Sequence, residues 1–292
     1  MSNQVNNASH PKAKNPWIEA WHSLKKNKLA LTGGCVLLIF ILIAVFADFI
    51  APHPADAQDW MHIMEGPSAA FPLGTDSYGR CVFSRIVYGS RISLLVGFVA
   101  VAFSAIGGGI IGACAGYFRG RLDNILMRIM DVLLAIPSIL LAIAIVNILG
   151  PSLINVMIAV GLSSMPSFAR IVRAAVLSIR DSEFIESAVA IGDSTAAIIW
   201  HNILPNCLAP IIVQATLGVA SAILSAAGLS FLGLGLQPPS PEWGAMLSEG
   251  RAYIYIAPWL TICPGVSIVL VVLSLNLFGD GLRDALDPKL KQ

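Results

Sequence analysis

Long apolar runs separated by short polar segments form the dominant pattern of the chain. A helix needs about 20 mostly apolar residues to cross a bilayer, and only helices satisfy their own backbone polar groups in lipid at that length. Six runs have this character, and they cover residues 29–50, 92–114, 132–149, 153–168, 210–232 and 257–278. The pattern therefore predicts an all-α membrane protein with six transmembrane helices.

Helix-breaking residues lie inside several of these runs. Pro137, Pro166 and Pro264 fall in the third, fourth and sixth runs. Proline is tolerated in membrane helices because neighbouring groups can bond the carbonyl that it leaves free, so we expect a bend at each. The glycine triplet at 107–109 in the second run predicts close approach of another helix.

The segment before the first run has a short amphipathic pattern. Trp17, Ile18, Trp21 and Leu24 recur at helical spacing among polar residues. An amphipathic helix of this kind lies at a membrane surface with its apolar side inward. We therefore expect a short surface helix ahead of the first transmembrane helix.

Composition agrees with a membrane protein. The chain has 292 residues, of which 56% are hydrophobic and only 12% are charged, whereas soluble domains carry about 25% charged residues. The net charge of +1 gives no indication of nucleic-acid binding. Membrane lipid is the partner that composition predicts.

Cysteine and histidine give little sign of a metal site. The five cysteines are scattered and form no CxxC motif, which argues against a disulfide framework or zinc site. His53 and His62 lie near Asp56, Asp59 and Glu65 in the segment after the first run. Such residues could hold a metal, but loop histidines without tight spacing are usually solvated, so no metal site is predicted.

The distribution of positive charge predicts the orientation. With the amino terminus in the cytoplasm, only Arg80, Arg85, Arg91 and Arg251 of the 18 lysines and arginines fall outside, which leaves 14 inside. Cytoplasmic loops carry the excess of these residues, so both termini are expected in the cytoplasm.

The expected organisation follows from the runs and this orientation. A cytoplasmic tail, 1–28, precedes the first transmembrane helix, 29–50, and an extracytoplasmic loop, 51–90. A core of five helices follows at 91–280, with a cytoplasmic loop at 181–206, and a second cytoplasmic tail closes the chain at 281–292.

No motif indicates catalysis. The chain has no G-x-x-x-x-G-K-[ST], no H-E-x-x-H and no G-x-S-x-G, so it is not expected to bind ATP in the Walker manner or to be an enzyme. Asp48, Asp131 and Asp280 lie only at the ends of runs, and the middle of each run is uncharged. Carriers driven by an ion gradient usually place a charge there despite its cost. A stand-alone secondary transporter is therefore the weaker alternative, and a structural membrane scaffold is a third.

Isolated polar side chains in the runs are candidates for a translocation pathway. They are Asn147, Ser163, Ser164, Gln214, Ser221 and Ser225. Small residues on the fifth run, including the two serines, could equally pack against another helix. Both interpretations remain open from the sequence.

A polar interruption at 184–205 predicts two amphipathic helices joined at Gly192. Glycine adopts the left-handed conformation that often ends a helix without steric cost. Asp181 or Ser182 is a candidate cap for the first helix, and Asp193 or Ser194 for the second. Pro205 is expected to help end the second helix.

This interruption resembles the EAA loop of bacterial ABC importer permeases. Glu186, Ala188, Gly192 and the run 203–205 carry the resemblance, while Ser187 replaces a small residue. The resemblance implies a coupling helix that docks on a cytoplasmic ATPase. The coupling residues that it implies are Glu186, Ser187, Ala188, Gly192, Asp193, Ile203, Leu204 and Pro205.

Further stretches resemble the C-type permeases of dipeptide and oligopeptide importers. FPLGTDSYGRCVFSRIVYGSRISLLVG resembles their signature GTDxxGRDxxSRxxxGxRxSL, with Cys81 where that family commonly has Asp. MRIMDVLLAIPSILLAI, LSFLGLGLQPPSPEWGAML and NLFGDGLRDALDP are also similar to it.

The resemblance implies the type I importer fold in a bacterial inner membrane. It also implies a related second permease subunit, two ABC ATPases that hold ATP and Mg, and an extracytoplasmic binding protein, with no cofactor in this chain. Di- and oligopeptides are the expected substrates, and glutathione, nickel or a metal chelate are the alternatives.

Overall fold

The computed structural model describes residues 16–286, with side chains from Ala20 onward. The predictions for the side chains of Trp17 and Ile18, and for the ends of both tails, concern residues that the structure does not describe. The described part is built from helices: α1 Pro16–Lys26, α2 Lys28–Val45, α3 Ala47–Ile50, α4 Val82–Phe118, α5 Gly120–Ala135, α6 Ser138–Leu149, α7 Leu153–Ile179, α8 Glu183–Ile191, α9 Thr195–Ala197, α10 Leu204–Asn206, α11 Leu208–Phe231, α12 Trp243–Gly250 and α13 Trp259–Leu286.

Five helices are long and apolar enough to cross a membrane: α2, α4, α7, α11 and α13. Several extend well beyond the apolar runs that predicted them. Helix α4 begins at Val82 and ends at Phe118, so the last residues of the expected outer loop and the start of the expected polar link are helical. Helix α7 likewise continues to Ile179. Polar residues extend a membrane helix into the aqueous layers, and hydropathy alone does not detect them.

The third run is not one continuous helix. It is divided between α5 and α6, which are bent by 92° from each other. Pro137 is the N-cap residue of α6 rather than an interior residue, because proline fits the start of a helix, where no N–H is needed. The interruption expected at Pro137 is present, but the first half of the third span begins earlier than 132, at Gly120. Pro166 and Pro264, in contrast, lie inside α7 and α13.

Glycines of α4 allow close contact with α7, and the two helices run in the same direction. A Cβ on Gly108 would lie 2.6 Å from the carbonyl oxygen of Met165, and a Cβ on Gly116 would lie 2.8 Å from Cβ of Val176. Within the triplet, Gly108 makes the backbone approach, while nothing lies within 4 Å of a Cβ on Gly109. The contacts advance together along both chains, so the helices are parallel. The chain must therefore recross the membrane between them, so the bent α5–α6 pair contains the sixth crossing.

Helix α1 confirms the expected short helix before the first span. Ala20 and Leu24 are buried in a small cluster with Ala30 of α2 and Ala285 of α13. Asn27 separates α1 from α2, and its side-chain oxygen accepts hydrogen bonds from the N–H groups of Leu29 and Ala30. The first helix is thus fixed against the end of the last one.

Candidate coupling loop and transport pathway

The first arm of the interruption is α8, and it ends as the sequence predicts. Gly192 is left-handed, with φ of +91°. Its N–H donates to the carbonyl of Val189, and the N–H of Asp193 donates to Ala188 at 3.1 Å. This bonding satisfies carbonyls at the end of the helix and turns the chain sharply. At the other end, Ser182 is the N-cap residue but makes no side-chain cap bond.

The second arm differs from the expectation near its end. Ser194 caps it, because its hydroxyl oxygen accepts from the N–H of Ala197 at 3.3 Å. The chain then winds through α9, a π-helical segment at Ile198–Ile203 and α10. Pro205 lies in the first turn of α10, which ends one residue later, at Asn206. Because proline has no N–H to offer the carbonyl one turn back, the preceding turn takes the wider π winding.

One face of both arms is buried against the transmembrane helices. Ile185 and Ala188 of α8 join Ile198, Ile203 and Cys207 in a cluster with residues of α4 and α7. Burial raises the pKa of the Cys207 thiol to about 11, so this cysteine is a neutral packing residue. This packing holds the loop rigidly against the ends of α4 and α7.

The opposite face of the loop is exposed and unusually apolar. It presents Phe184, Val189, Ile191 and Trp200, of which Ile191 is 81% exposed and Trp200 is 66% exposed. The sequence pattern predicts amphipathic helices here but does not show that these residues form one exposed surface. Large exposed apolar patches outside lipid mark interaction sites.

The structure separates the eight expected coupling residues into two groups. Ala188 and Ile203 are buried and Leu204 is half-buried. The exposed group is Glu186, Ser187, Gly192, Asp193 and Pro205. The first group holds the loop on the helices, and the second is available to another molecule.

Ion pairs fix the base of the loop. Arg119, after α4, donates to Asp181 at 2.7 Å. Arg173 of α7 makes two hydrogen bonds of 2.6 Å with the carboxylate of Asp123 in α5. Sequence reasoning assigned these arginines to the cytoplasmic side and did not identify their partners. The pairs connect α4, α5 and α7 to the point where the loop begins.

The six candidate pathway residues lie on three helices. Asn147 is on α6, Ser163 and Ser164 are on α7, and Gln214, Ser221 and Ser225 are on α11. No hydrogen bond within residues 16–286 joins any two of them. Asn147 and Ser163 instead donate to backbone carbonyls of their own helices, at 2.9 and 2.7 Å.

Gln214 is half-buried and lines a groove in the surface. The groove lies between α7, α11 and the end of α13, and it is also lined by Ala175, Asn206, Val213 and Arg283. The groove has an apolar lining with a few polar side chains. This is the kind of surface that can pass a small polar solute or receive another helix.

The outer end of the fold carries a buried charged cluster that the sequence did not reveal. Asp76 accepts from the backbone N–H of Arg80 and, at 2.6 Å, from its guanidinium. Arg80 and Arg85 also reach Glu249 of α12, at 2.8 and 3.4 Å. Arg80 of the GTDSYGR segment and Arg85 of α4 therefore connect the first outer loop to the second.

Cys81 lies between these charged residues at the N-cap of α4. Its side chain is buried and makes no cap hydrogen bond. An aspartate at this position would be suited to the N-cap, where a carboxylate oxygen accepts from free N–H groups. The cysteine leaves that bond unmade.

The outer histidines occupy a solvated segment. His62 is hydrogen-bonded to Asp59 at 2.8 Å, and this bond lowers the pKa of the Asp59 carboxyl. Within residues 16–286, no group of three or more potential metal ligands is found.

The comparisons identify the family. Residues 105–292 match the family described as "Binding-protein-dependent transport system inner membrane component", and residues 15–67 match "N-terminal TM domain of oligopeptide transport permease C". The chain belongs to this family of inner-membrane permeases. It is therefore an integral inner-membrane protein and the permease component of an ABC importer.

Curated relatives match almost the whole permease. The dipeptide transport system permease protein DppC of Alkalihalophilus pseudofirmus is 54% identical over 279 residues, covering 96% of this chain and 92% of the relative. The glutathione transport system permease protein GsiD of Pectobacterium atrosepticum is 47% identical over 277 residues, covering 94% and 92%.

A solved structure supports the fold independently. The inward-facing MetNI methionine ABC transporter aligns with a TM-score of 0.57 at 22% identity, covering 70% of this chain and 97% of that one. The permease thus has the architecture of ABC importer permeases, as the resemblance implied.

Proposed function

We propose that this chain is the C-type permease subunit of an ATP-driven importer of di- and oligopeptides. The main observation in support is the loop at 181–206. One of its faces is buried against α4 and α7, and the other is exposed and apolar. The dipeptide permease at 54% identity supports the choice of peptide.

The exposed face of the loop is the docking surface for an ABC ATPase. Ile191 and Trp200 supply apolar anchors, and Glu186 and Asp193 supply charged groups beside them. The excess of lysine and arginine on the same side supports a cytoplasmic position for this surface and for both termini. ATP and Mg are held by two such ATPases rather than by this chain.

A related second permease subunit completes the translocation path, and an extracytoplasmic binding protein delivers the peptide. Closure of the ATPases on ATP moves the loop as a rigid unit, and hydrolysis reverses the motion. This is alternating access between an outward-open and an inward-open state, in which the packed helices tilt as rigid bodies. Gln214, with Ser221 and Ser225 on the same helix, lines the path from this side, and Asn147, Ser163 and Ser164 are weaker candidates.

Uptake of a labelled dipeptide by cells with and without this chain tests the substrate. Loss of uptake on deletion, with competition by excess peptide, supports the proposal. Glutathione is the second candidate because a glutathione permease is 47% identical. Competition by glutathione or a nickel chelate instead of peptide would keep the architecture and replace the substrate.

Co-purification separates the importer from a stand-alone secondary transporter. The permease, extracted mildly from its native membrane, should bring two ATPase subunits with it. Transport that persists without ATPases and collapses with the proton or sodium gradient would contradict the proposed mechanism.

A further inference from the structure

Helix α5 is separated from its neighbours by a sharp break at each end. Arg119 and Gly120, at its start, have φ of +55° and +60°. This left-handed conformation is uncommon for a residue with a side chain. At the other end, the chain bends by 92° into α6. Because α6 belongs to a membrane crossing, a helix at this angle to it lies close to the membrane plane.

Two ion pairs give the depth of α5. Asp123 binds Arg173, and Asp131 binds Arg170, each at 2.6 Å. On α7 these arginines lie about 26–30 Å beyond Leu153 at 1.5 Å per residue, which is close to the thickness of the hydrocarbon core. Helix α5 therefore lies at the membrane boundary, at the same end of the protein as α8.

The surface of α5 has three distinct sides. Asp123 and Met130 are buried against the protein. A second side is apolar and exposed, with residues spaced by three and four positions. It consists of Leu122, Ile125, Ile129 and Val132, which are 41–60% exposed.

The third side is polar and carries two arginines. Arg121 and Arg128 each precede a residue of the apolar stripe and are exposed. Neither forms an ion pair with any residue between 16 and 286. On a helix of 3.6 residues per turn, both lie along the edge of the stripe, where their stems can cover apolar surface and their guanidinium groups can reach a headgroup layer.

We propose that α5 is an interfacial anchor that binds anionic phospholipid headgroups through Arg121 and Arg128. The apolar stripe enters the boundary of the acyl region, as in amphipathic helices that lie in the interface. A lipid is favoured over another protein chain because the stripe lies at membrane depth and the unpaired charges are positive and adjacent to it. The inference depends on membrane insertion and not on the transported substrate.

A photo-crosslinking experiment tests which molecule covers the stripe. Benzoylphenylalanine is placed at position 125, on the stripe, or at position 124, on the polar side, in the intact importer. The importer is held in nanodiscs of phosphatidylcholine and phosphatidylglycerol. We expect a lipid adduct at 125 and none at 124. A crosslink from 125 to a protein subunit, or no lipid adduct there, would overturn the proposal.

Lipid retention tests the arginines. The R121Q/R128Q importer is compared with the unaltered importer for phosphatidylglycerol retained through purification, measured by mass spectrometry. Each arginine should contribute roughly fivefold to retention, and the pair about 30-fold, while phosphatidylcholine is unchanged. R251Q is the matched control, because Arg251 is exposed outside α5. Equal phosphatidylglycerol in the double variant and the unaltered importer would reject headgroup binding by α5.

Discussion

Arg80 donates a hydrogen bond of 2.8 Å to Glu249, a residue 169 positions later in the chain. The guanidinium is 2% exposed and also binds Asp76. The pair closes the outer end of the fold by joining the first outer loop to α12. Its loss would leave the carboxylates of Asp76 and Glu249, which are 9% and 22% exposed, with Arg85 alone as a nearby cation, at 3.7 and 3.4 Å. Charge that is less well compensated in such surroundings is costly.

We expect Arg80→Met to lower the free energy of unfolding by about 3–5 kcal/mol, because removal of one partner from a buried ion pair costs about that much. Thermal unfolding of the purified permease in detergent measures the effect as a lower Tm. Arg251→Met is the control, since Arg251 is exposed. Equal Tm values for the two variants would show that the buried cluster contributes little.

Gly192→Val should reduce uptake while the protein still inserts in the membrane. A Cβ at this position would meet nothing within 4 Å, so the cost comes from φ of +91° alone. That strain is about 1 kcal/mol or more for a branched side chain. Gly192→Asn should transport nearly normally, because asparagine tolerates this conformation. Transport assays at matched protein levels compare the two variants. Normal uptake by the valine variant would contradict a role for the left-handed turn at Gly192 in transport.

Ile191→Glu should remove most of the ATPase that co-purifies with the permease. The side chain is 81% exposed, so the change does not disturb packing, but it places a charge in the proposed apolar contact. A buried unpaired charge at an interface costs about 2–5 kcal/mol. Ile256→Glu carries the same change on another exposed isoleucine, outside the loop, and should retain the ATPase. Undiminished ATPase with Ile191→Glu would argue against this docking surface.

Glu242 should make stability depend on pH. Burial raises the pKa of its carboxyl above the ordinary 4.5, although the N–H groups of Gly244 and Ala245 partly oppose the shift. The folded chain therefore keeps a proton that the unfolded chain has lost. The contribution to the free energy of unfolding is fully present below pH 4.5 and decreases as pH rises through the raised pKa.

The measurement for Glu242 is Tm against pH for the unaltered permease and for Glu242→Gln. The difference between the two curves isolates this group, because other carboxyls titrate in both proteins. The unaltered permease should lose Tm relative to the variant as pH rises above 4.5. Parallel curves would mean that Glu242 does not titrate differently on folding.

Local features were the ones that the sequence predicted well. The left-handed turn at Gly192 and the cap at Ser194 depend on residues within one helical turn, and both are present. The second arm ends just after Pro205, but the sequence did not reveal the π-helical segment that precedes it. Residues 132–149 are divided between α5 and α6. This division depends on how α5 packs across α7, and hydropathy does not encode that packing.

Long-range relationships were not predictable from one sequence. Nothing near Arg80 identifies Glu249 as its partner, because the two meet only after α4, α11 and α12 have packed. The exposed face at Ile191 and Trp200 was also not predictable, because it too depends on how the helices pack. Amphipathic spacing shows that a helix has two sides, but packing decides which of them is covered.

Helix α4 is 37 residues long, or about 55 Å, and it is continuous from one side of the membrane to the other. Its first turns hold Arg85, which reaches Glu249, and its last turns hold Ala113, which packs in the cluster under the loop. A rigid rod held at both ends cannot tilt at one of them alone. A change of angle imposed on the loop would therefore also shift the charged cluster that joins the first outer loop to α12, on the other side of the membrane.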